Sequence, residues 1–145
     1  MNDHYQRLEN LFQSAPLNQG IFAGSVMKVG EGQAEYKLGI SEKYFHAAHA
    51  MHGAIYFKLL DDAAYFAAAS LETERFILTK TYQIKFIRPV EEDQLRAVGG
   101  VLNHDEKGIV AKSVIYNAAG KMVAEGEGVF VKGPKKLLDL PGYGD

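Results

Sequence analysis

Two adjacent carboxylates, Asp61 and Asp62, sit in the middle of an apolar stretch, His52 to Ser70, that reads HGAIYFKLLDDAAYFAAAS. A carboxylate in apolar surroundings is costly unless it is paired or put to use. Asp62 has Lys58 four residues before it, a spacing that suits an ion pair on one helix face. We read Asp62 as structural. Asp61 has Phe57 and Tyr65 at the same spacing, and neither offers a cation. Two readings stay open for Asp61: an ion pair with Lys58, three residues earlier, or a reacting carboxylate. An unperturbed Asp is ionised at neutral pH, so either is accessible. The two carboxylates lie about 100° apart round a helix. They are not expected to face one pocket, which argues against a paired-carboxylate hydrolase.

Gly53 falls in the first turn of the same stretch, where backbone N–H groups have no partner within the helix. Such donors, aided by the helix dipole, suit a developing oxyanion. The plainer reading is a glycine that lets the chain enter the helix tightly. Gly53 and Asp61 are eight residues apart, about 12 Å along a helix at about 1.5 Å per residue. A carbonyl oxygen and its carbon are bonded neighbours, so one helix cannot serve both. If both groups act, they come from two subunits. His46, His49 and His52 precede the stretch at spacings of three, without a supporting carboxylate, and no metal site is expected from them.

The elements that must hold these residues follow from periodicity. Residues 3 to 14 read as a short amphipathic helix, with Asp3 as its cap and Tyr5, Leu8, Leu11 and Phe12 as its stripe. Ile21 to Val29 and Gln33 to Ile40 read as strands around Gly30-Glu31-Gly32. Tyr44 to Met51 is a loop. His52 to Ser70 is apolar on nearly every face and is therefore a buried helix, too interrupted by charge to span a membrane. Phe76 to Arg88, Gln94 to Leu102, Ile109 to Asn117 and Lys121 to Val131 read as four more strands in meander spacing, joined by short turns that make them antiparallel. The tail, about 132–145, shows no period and is expected to be irregular. The fold class is α+β: about six antiparallel strands curved round one long central helix, in a single domain over 1–145. Long strands with few gatekeeping prolines predict self-association.

With these residues in view, the sequence resembles the hotdog-fold acyl-CoA thioesterases, and within them the PaaI-like group. The resemblance is carried by His52-Gly53-Ala54, by Leu59-Leu60-Asp61 nine residues after the His, and by Thr79-x-x-x-x-Ile84-x-Phe86-x-Arg88-Pro89, and it spans roughly Ile21 to Val131. It implies that Asp61 is nucleophile or general base toward a thioester carbonyl, and that the Gly53 amide of the other subunit holds the carbonyl oxygen. It places Thr79 where relatives have a Ser or Thr that orients the attacking water or holds the carboxylate, and His52 in the catalytic motif. His46 stands where relatives often have Asn or Gln near the thioester, and Ala54 stands for a usual second Gly. Both are candidates for substrate contact, with Tyr65 as a tunnel wall beside Tyr56, Phe66 and Tyr82. Arg88, with Lys85, Lys132, Lys135 and Lys136, is a candidate for the phosphates or adenosine end of coenzyme A.

The implied function is hydrolysis of an acyl-CoA or aryl-CoA thioester to an acid and free coenzyme A. The alternatives are a non-catalytic acyl-CoA-binding domain and a hotdog hydratase or dehydratase. No cofactor is expected, coenzyme A entering as part of the substrate. The implied partner is a second copy of the chain, a homodimer that pairs further into a homotetramer. A net charge of -2 gives no field to recruit nucleic acid or acidic membranes. The absence of cysteine excludes disulfides, thiolate metal sites and a cysteine nucleophile. The polar first ten residues, MNDHYQRLEN, predict a cytoplasmic location.

Overall fold

The computed structural model describes residues 2–144; Met1 and Asp145, the ends of the expected 1–145 span, lie outside the described residues. Helix α1 runs Asn2–Ser14 and a short α2 runs Pro16–Gln19. Strands β1 (Val26–Gly30) and β2 (Gln33–Ile40) form the expected hairpin. The central helix α3 spans Gly53–Ala69. Strands β3 (Arg75–Phe86), β4 (Asp93–Asp105), β5 (Gly108–Tyr116) and β6 (Met122–Lys136) complete a sheet ordered β1-β2-β4-β5-β6-β3, antiparallel at every pairing. This is the hotdog arrangement: one curved sheet round one long helix.

Helix α3 is seated by its composition. Leu59, Leu60, Ala63, Ala64, Ala67 and Ala68 have no exposed surface. Alanine on that face lets the helix backbone approach the sheet. At the closest point Gly99 of β4 lies under Ala63, where any Cβ would collide with the Ala63 carbonyl. Leu8 and Phe12 of α1 join the same core, so the N-terminal helix is docked through the stripe expected of it. Asp3 lies inside the first turn of α1 rather than capping it, and its carboxylate pairs with Arg7 at 3.0 Å.

The structure corrects three expectations. The last four strands do not form a simple meander: β3 pairs with β6 at the sheet edge, and β4 inserts between β2 and β5. Pro89 and its neighbours carry the chain from the edge to the sheet interior instead of closing a hairpin. The tail is not irregular from Lys132. Strand β6 continues to Lys136 because Arg75 and Ile77 of β3 supply partners at Lys136 and Lys132. A 3-10 turn (Leu137–Asp139) and a short α4 (Pro141–Gly144) follow, and Tyr143 of α4 hydrogen-bonds His4 of α1 at 2.7 Å. The first strand begins at Val26 rather than Ile21, because Phe22, Ala23 and Ser25 donate their amides to turn carbonyls.

Candidate active site

Asp61 lies two turns into α3 and is partly buried, with burial as the strongest influence on its acidity. Desolvation raises its carboxyl from 3.8 to about 6, opposed by a hydrogen bond from Thr79 and a pull from Lys58, and assisted by the charge of Asp62. Thr79 Oγ1 donates to Asp61 Oδ1 at 2.9 Å. Among the described residues no cation pairs with Asp61. Lys58 is spent elsewhere. Its ammonium pairs with Asp62, donates to Asn18 Oδ1 at 2.6 Å, and lies 5.0–5.3 Å from the ring centres of Phe12, Phe22 and Tyr36. Burial pushes the Asp62 carboxyl up against the opposing pull of that lysine. The Lys58–Asp62 pair is therefore the structural one, and it ties α3 to α2.

A β-bulge presents Thr79 to Asp61. Along β3 the register against β6 slips between Thr79 and Thr81, leaving Lys80 as the extra residue. Without it, strict alternation would put Thr79 on the face of Thr81 and Gln83, which is exposed. The bulge resets the phase, so Ile77 and Thr79 face inward with Tyr82 and Ile84. Tyr82 lies across Gly126 and Gly128 of β6, where side chains would strike its ring, and its hydroxyl meets Ser113 and the Leu60 carbonyl. Ser113 donates to that carbonyl at 2.7 Å. Two hydroxyls thus grip α3 at the residue before Asp61, contacts that sequence reading missed because they join residues 22 and 53 positions apart.

Gly53 opens the other end of α3. His52 is the N-cap, and its Nδ1 accepts the Ala54 amide at 2.9 Å. The Gly53 N–H has no acceptor among the described residues. His46 lies beside it, its ring centre 6.5 Å from that of His52, with Nδ1 accepting the Ala48 amide at 3.0 Å. When neutral, both rings then carry their proton on Nε2. No three His, Asp or Glu side chains gather as a metal ion would need, among the described residues.

The candidates therefore form two groups within one chain. Asp61, Thr79 and Tyr65 are together; Gly53, Ala54, His52 and His46 are together at the helix start. A shallow apolar trough along α3 joins the two, running past Gly53, Ala54, Phe57 and Asp61 and flanked by Ile84 and Phe86. Arg88 does not border it. Its Nε donates to the Met122 carbonyl at 3.1 Å and its own carbonyl receives the Tyr56 hydroxyl. Of the lysines named with it, Lys132 pairs with Glu72 at 3.6 Å.

At Asp61 the trough meets a cavity of about 700 Å³, bounded by α1, α2, the first part of β3 and the chain after β6. Tyr65 and Phe66 form part of its wall, whereas Tyr56 and Tyr82 do not. The Tyr65 hydroxyl is tied to the Ile77 carbonyl at 2.6 Å, so Tyr65 offers the cavity its ring. Both Asp61 and Asp62 border this cavity, contrary to the expectation that they could not face one pocket. It is wide enough to wrap that sector of the helix, and Asp62 meets it already neutralised by Lys58.

Residues 48–124 match the family model described as "Thioesterase superfamily". The fold is similar to that of the PaaI protein from the phenylacetic acid degradation operon of Escherichia coli, with a TM-score of 0.81 and 20% identity over 93% of this chain and 96% of that one. It is also similar to smu.793 from Streptococcus mutans UA159, solved bound to acetyl CoA, with a TM-score of 0.71 and 18% identity over 79% of this chain and 93% of that one. A Saccharolobus solfataricus protein provisionally named an esterase is 22% identical over 104 residues, 72% of this chain and 69% of that protein.

Proposed function

The chain belongs to the Thioesterase superfamily, and from that premise we propose that it hydrolyses acyl-CoA thioesters. The observation that carries the reading is Asp61 itself: a carboxylate held in a mostly apolar helix, raised to about 6, bonded by a hydroxyl donor and not by a cation, and open to a cavity. A structural aspartate is paired, as Asp62 is. A base that works near neutral pH is best with a pKa close to it.

In the proposed reaction Thr79 holds Oδ1, leaving Oδ2 to take a proton from water. The water oxygen adds to the thioester carbonyl carbon, and the negative charge that forms on the carbonyl oxygen is held by the Gly53 N–H of a second subunit. The tetrahedral species collapses with cleavage of the C–S bond. The thiolate of coenzyme A leaves and takes up a proton, and the acid is released. His52 fixes the first turn by capping it, so that the Gly53 amide points outward while the Ala54 amide is already engaged. Direct attack by Asp61 as nucleophile would use the same carboxylate and the same amide.

The second subunit follows from length, since one α3 cannot bring Gly53 to a carbonyl that its own Asp61 attacks. The trough between them is where a second α3 would lie. Phe57 and Phe86 are 41% and 56% exposed there, a large apolar surface for an uncovered chain. Smu.793 bound to acetyl CoA supports coenzyme A as the carrier. The test is Asp61→Asn, followed by free-thiol release from a panel of acyl-CoAs and by binding of the same ligands. Lost turnover with retained binding supports the reading; unchanged turnover removes Asp61 from the reaction. Binding without turnover in the unmutated protein would point to a binding domain instead.

A further inference from the structure

We propose that the cavity of about 700 Å³ beside Asp61 receives the acyl group of the substrate, that this group is apolar and several carbons long, and that α1–α2 and the segment after β6 set how much of it fits. The inference rests on the thioesterase reading and extends it to a substrate class. Asp61 stands at the boundary between the trough and this cavity, and Thr79 holds it from the cavity side. A group attached to a carbonyl carbon under attack at Asp61 must leave in one direction or another. The trough leads back along α3 toward Gly53, and the cavity is the space on the other side.

Its chemistry selects what enters. The apolar part of the wall is Leu11, Ala15, Leu17, Phe66, Phe76 and Leu140, with the Tyr65 ring among them, and the solvent-exposed Lys135 stands on the rim. The rings of Tyr65 and Phe66 lie 5.1 Å apart and those of Tyr65 and Phe76 lie 5.7 Å apart, giving one side an aromatic face. Two carboxylates, Asp61 and Asp62, stand at the end where an acyl group would arrive, and Lys58 neutralises only one of them. A dicarboxylic acyl group would have to bring its free carboxylate past Asp61 and across the apolar wall before reaching Lys135, whose ammonium is held in solvent at the rim. A straight-chain or aryl group carries no such penalty. The volume lies within the range of small-molecule sites, about 300–1,000 Å³.

Tyr65, Phe66 and Phe76 share α3 and β3 with the reacting residues, but the rest of the apolar wall is separate from them. Asp61 and Thr79 belong to α3 and β3, whereas Leu11, Ala15 and Leu17 belong to α1, α2 and the link between them, and Leu140 follows the 3-10 turn. Pocket depth can therefore change without moving the carboxylate or its hydroxyl donor.

The experiment compares the unmutated protein with Ala15→Phe, which narrows the cavity, and Leu140→Ala, which widens it. Hydrolysis and equilibrium binding are both measured for acetyl-CoA, octanoyl-CoA, phenylacetyl-CoA and succinyl-CoA. Octanoyl- and phenylacetyl-CoA are expected to be preferred over succinyl-CoA. Ala15→Phe is expected to lower the octanoyl-to-acetyl ratio of kcat/KM by about tenfold, the scale set by one or two methylenes in an apolar pocket. Leu140→Ala should shift the ratio less and in the opposite sense, which guards against a folding defect in the first variant. Equal losses on acetyl- and octanoyl-CoA, or a preference for succinyl-CoA, would overturn the acyl pocket while leaving hydrolysis in place. Should no thioester be cleaved, the binding ratios decide: a selective loss of octanoyl-CoA binding in Ala15→Phe upholds the pocket and removes the hydrolysis reading alone, and unchanged ratios remove both.

Discussion

The Thr79 hydroxyl and the Asp61 carboxylate meet at 2.9 Å across eighteen residues of chain, strand to helix, and the meeting depends on one extra residue in β3. The hydrogen bond lowers a carboxyl that burial raises, so Thr79 sets where Asp61 titrates as well as where it points.

Thr79→Ala removes the influence that lowers Asp61. The acidic limb of the kcat/KM profile should then move above the unmutated position near pH 6, and kcat should fall by about tenfold or more. Thr79→Ser keeps the donor and should restore both. A profile that stays put in Thr79→Ala would separate the hydroxyl from the titrating base.

In the unmutated protein, activity should rise with pH through about 6 and then level off, because the base must be deprotonated. Stability should run the other way. The folded carboxyl holds its proton more tightly than the unfolded one at 3.8, so the folded state loses stability as pH climbs from 3.8 to about 6. Asp61→Asn should therefore melt higher than the unmutated protein at pH 8, by an equivalent of about 1–3 kcal/mol, while losing turnover. Equal melting at pH 8 and at pH 4 would contradict the raised carboxyl.

Gly53→Pro is a selective way to delete the proposed oxyanion donor. Proline suits the first helical position, and His52 before it already has the extended backbone, φ -67 and ψ 146, that proline requires of its neighbour. A side chain at Gly53 would meet only the Phe86 ring, at 3.6 Å, an ordinary contact. The variant should fold and lose about 100- to 1,000-fold in kcat. Mixing it with Asp61→Asn should return about a quarter of the unmutated activity, since half the random dimers are mixed and each has one intact site. Mixtures no more active than their parts would rule out a site shared between copies.

Gly99→Ala tests the seating of α3. The added methyl meets the Ala63 carbonyl, part of a backbone that cannot rotate away. A loss of about 2–3 kcal/mol is expected in denaturant unfolding, with larger damage to activity than to coenzyme A binding if Asp61 is displaced with its helix. A neutral effect would mean that helix and sheet are less closely packed than described.

Periodicity alone was enough for the central helix, His52 to Ser70 against Gly53–Ala69, and for the second strand, Gln33–Ile40, at both ends. Those segments are legible because their signals are local: unbroken apolar faces and clean alternation between glycine turns. The same local logic assigned Lys58 to Asp62 but left it open as a partner for Asp61, three residues on, and only the folded structure removes that alternative by pairing it with Asp62. Local logic failed on the tail, where Lys-Gly-Pro-Lys-Lys has no alternation of its own and becomes strand only because β3 lies alongside.

What the residues determined by themselves was an apolar helix carrying two adjacent acids, inside an antiparallel sheet; which acid Lys58 pairs with was settled by the fold. Tertiary structure decided which face of β3 Thr79 occupies, because the bulge at Lys80 reverses a side-chain phase that alternation predicts the other way. It also decided that the two ends of the chain wall the cavity at Asp61, since α1, α2 and α4 meet there through contacts more than a hundred residues apart, such as His4 with Tyr143. Pairing over such distances leaves no period to read, and only the folded chain can bring those surfaces together.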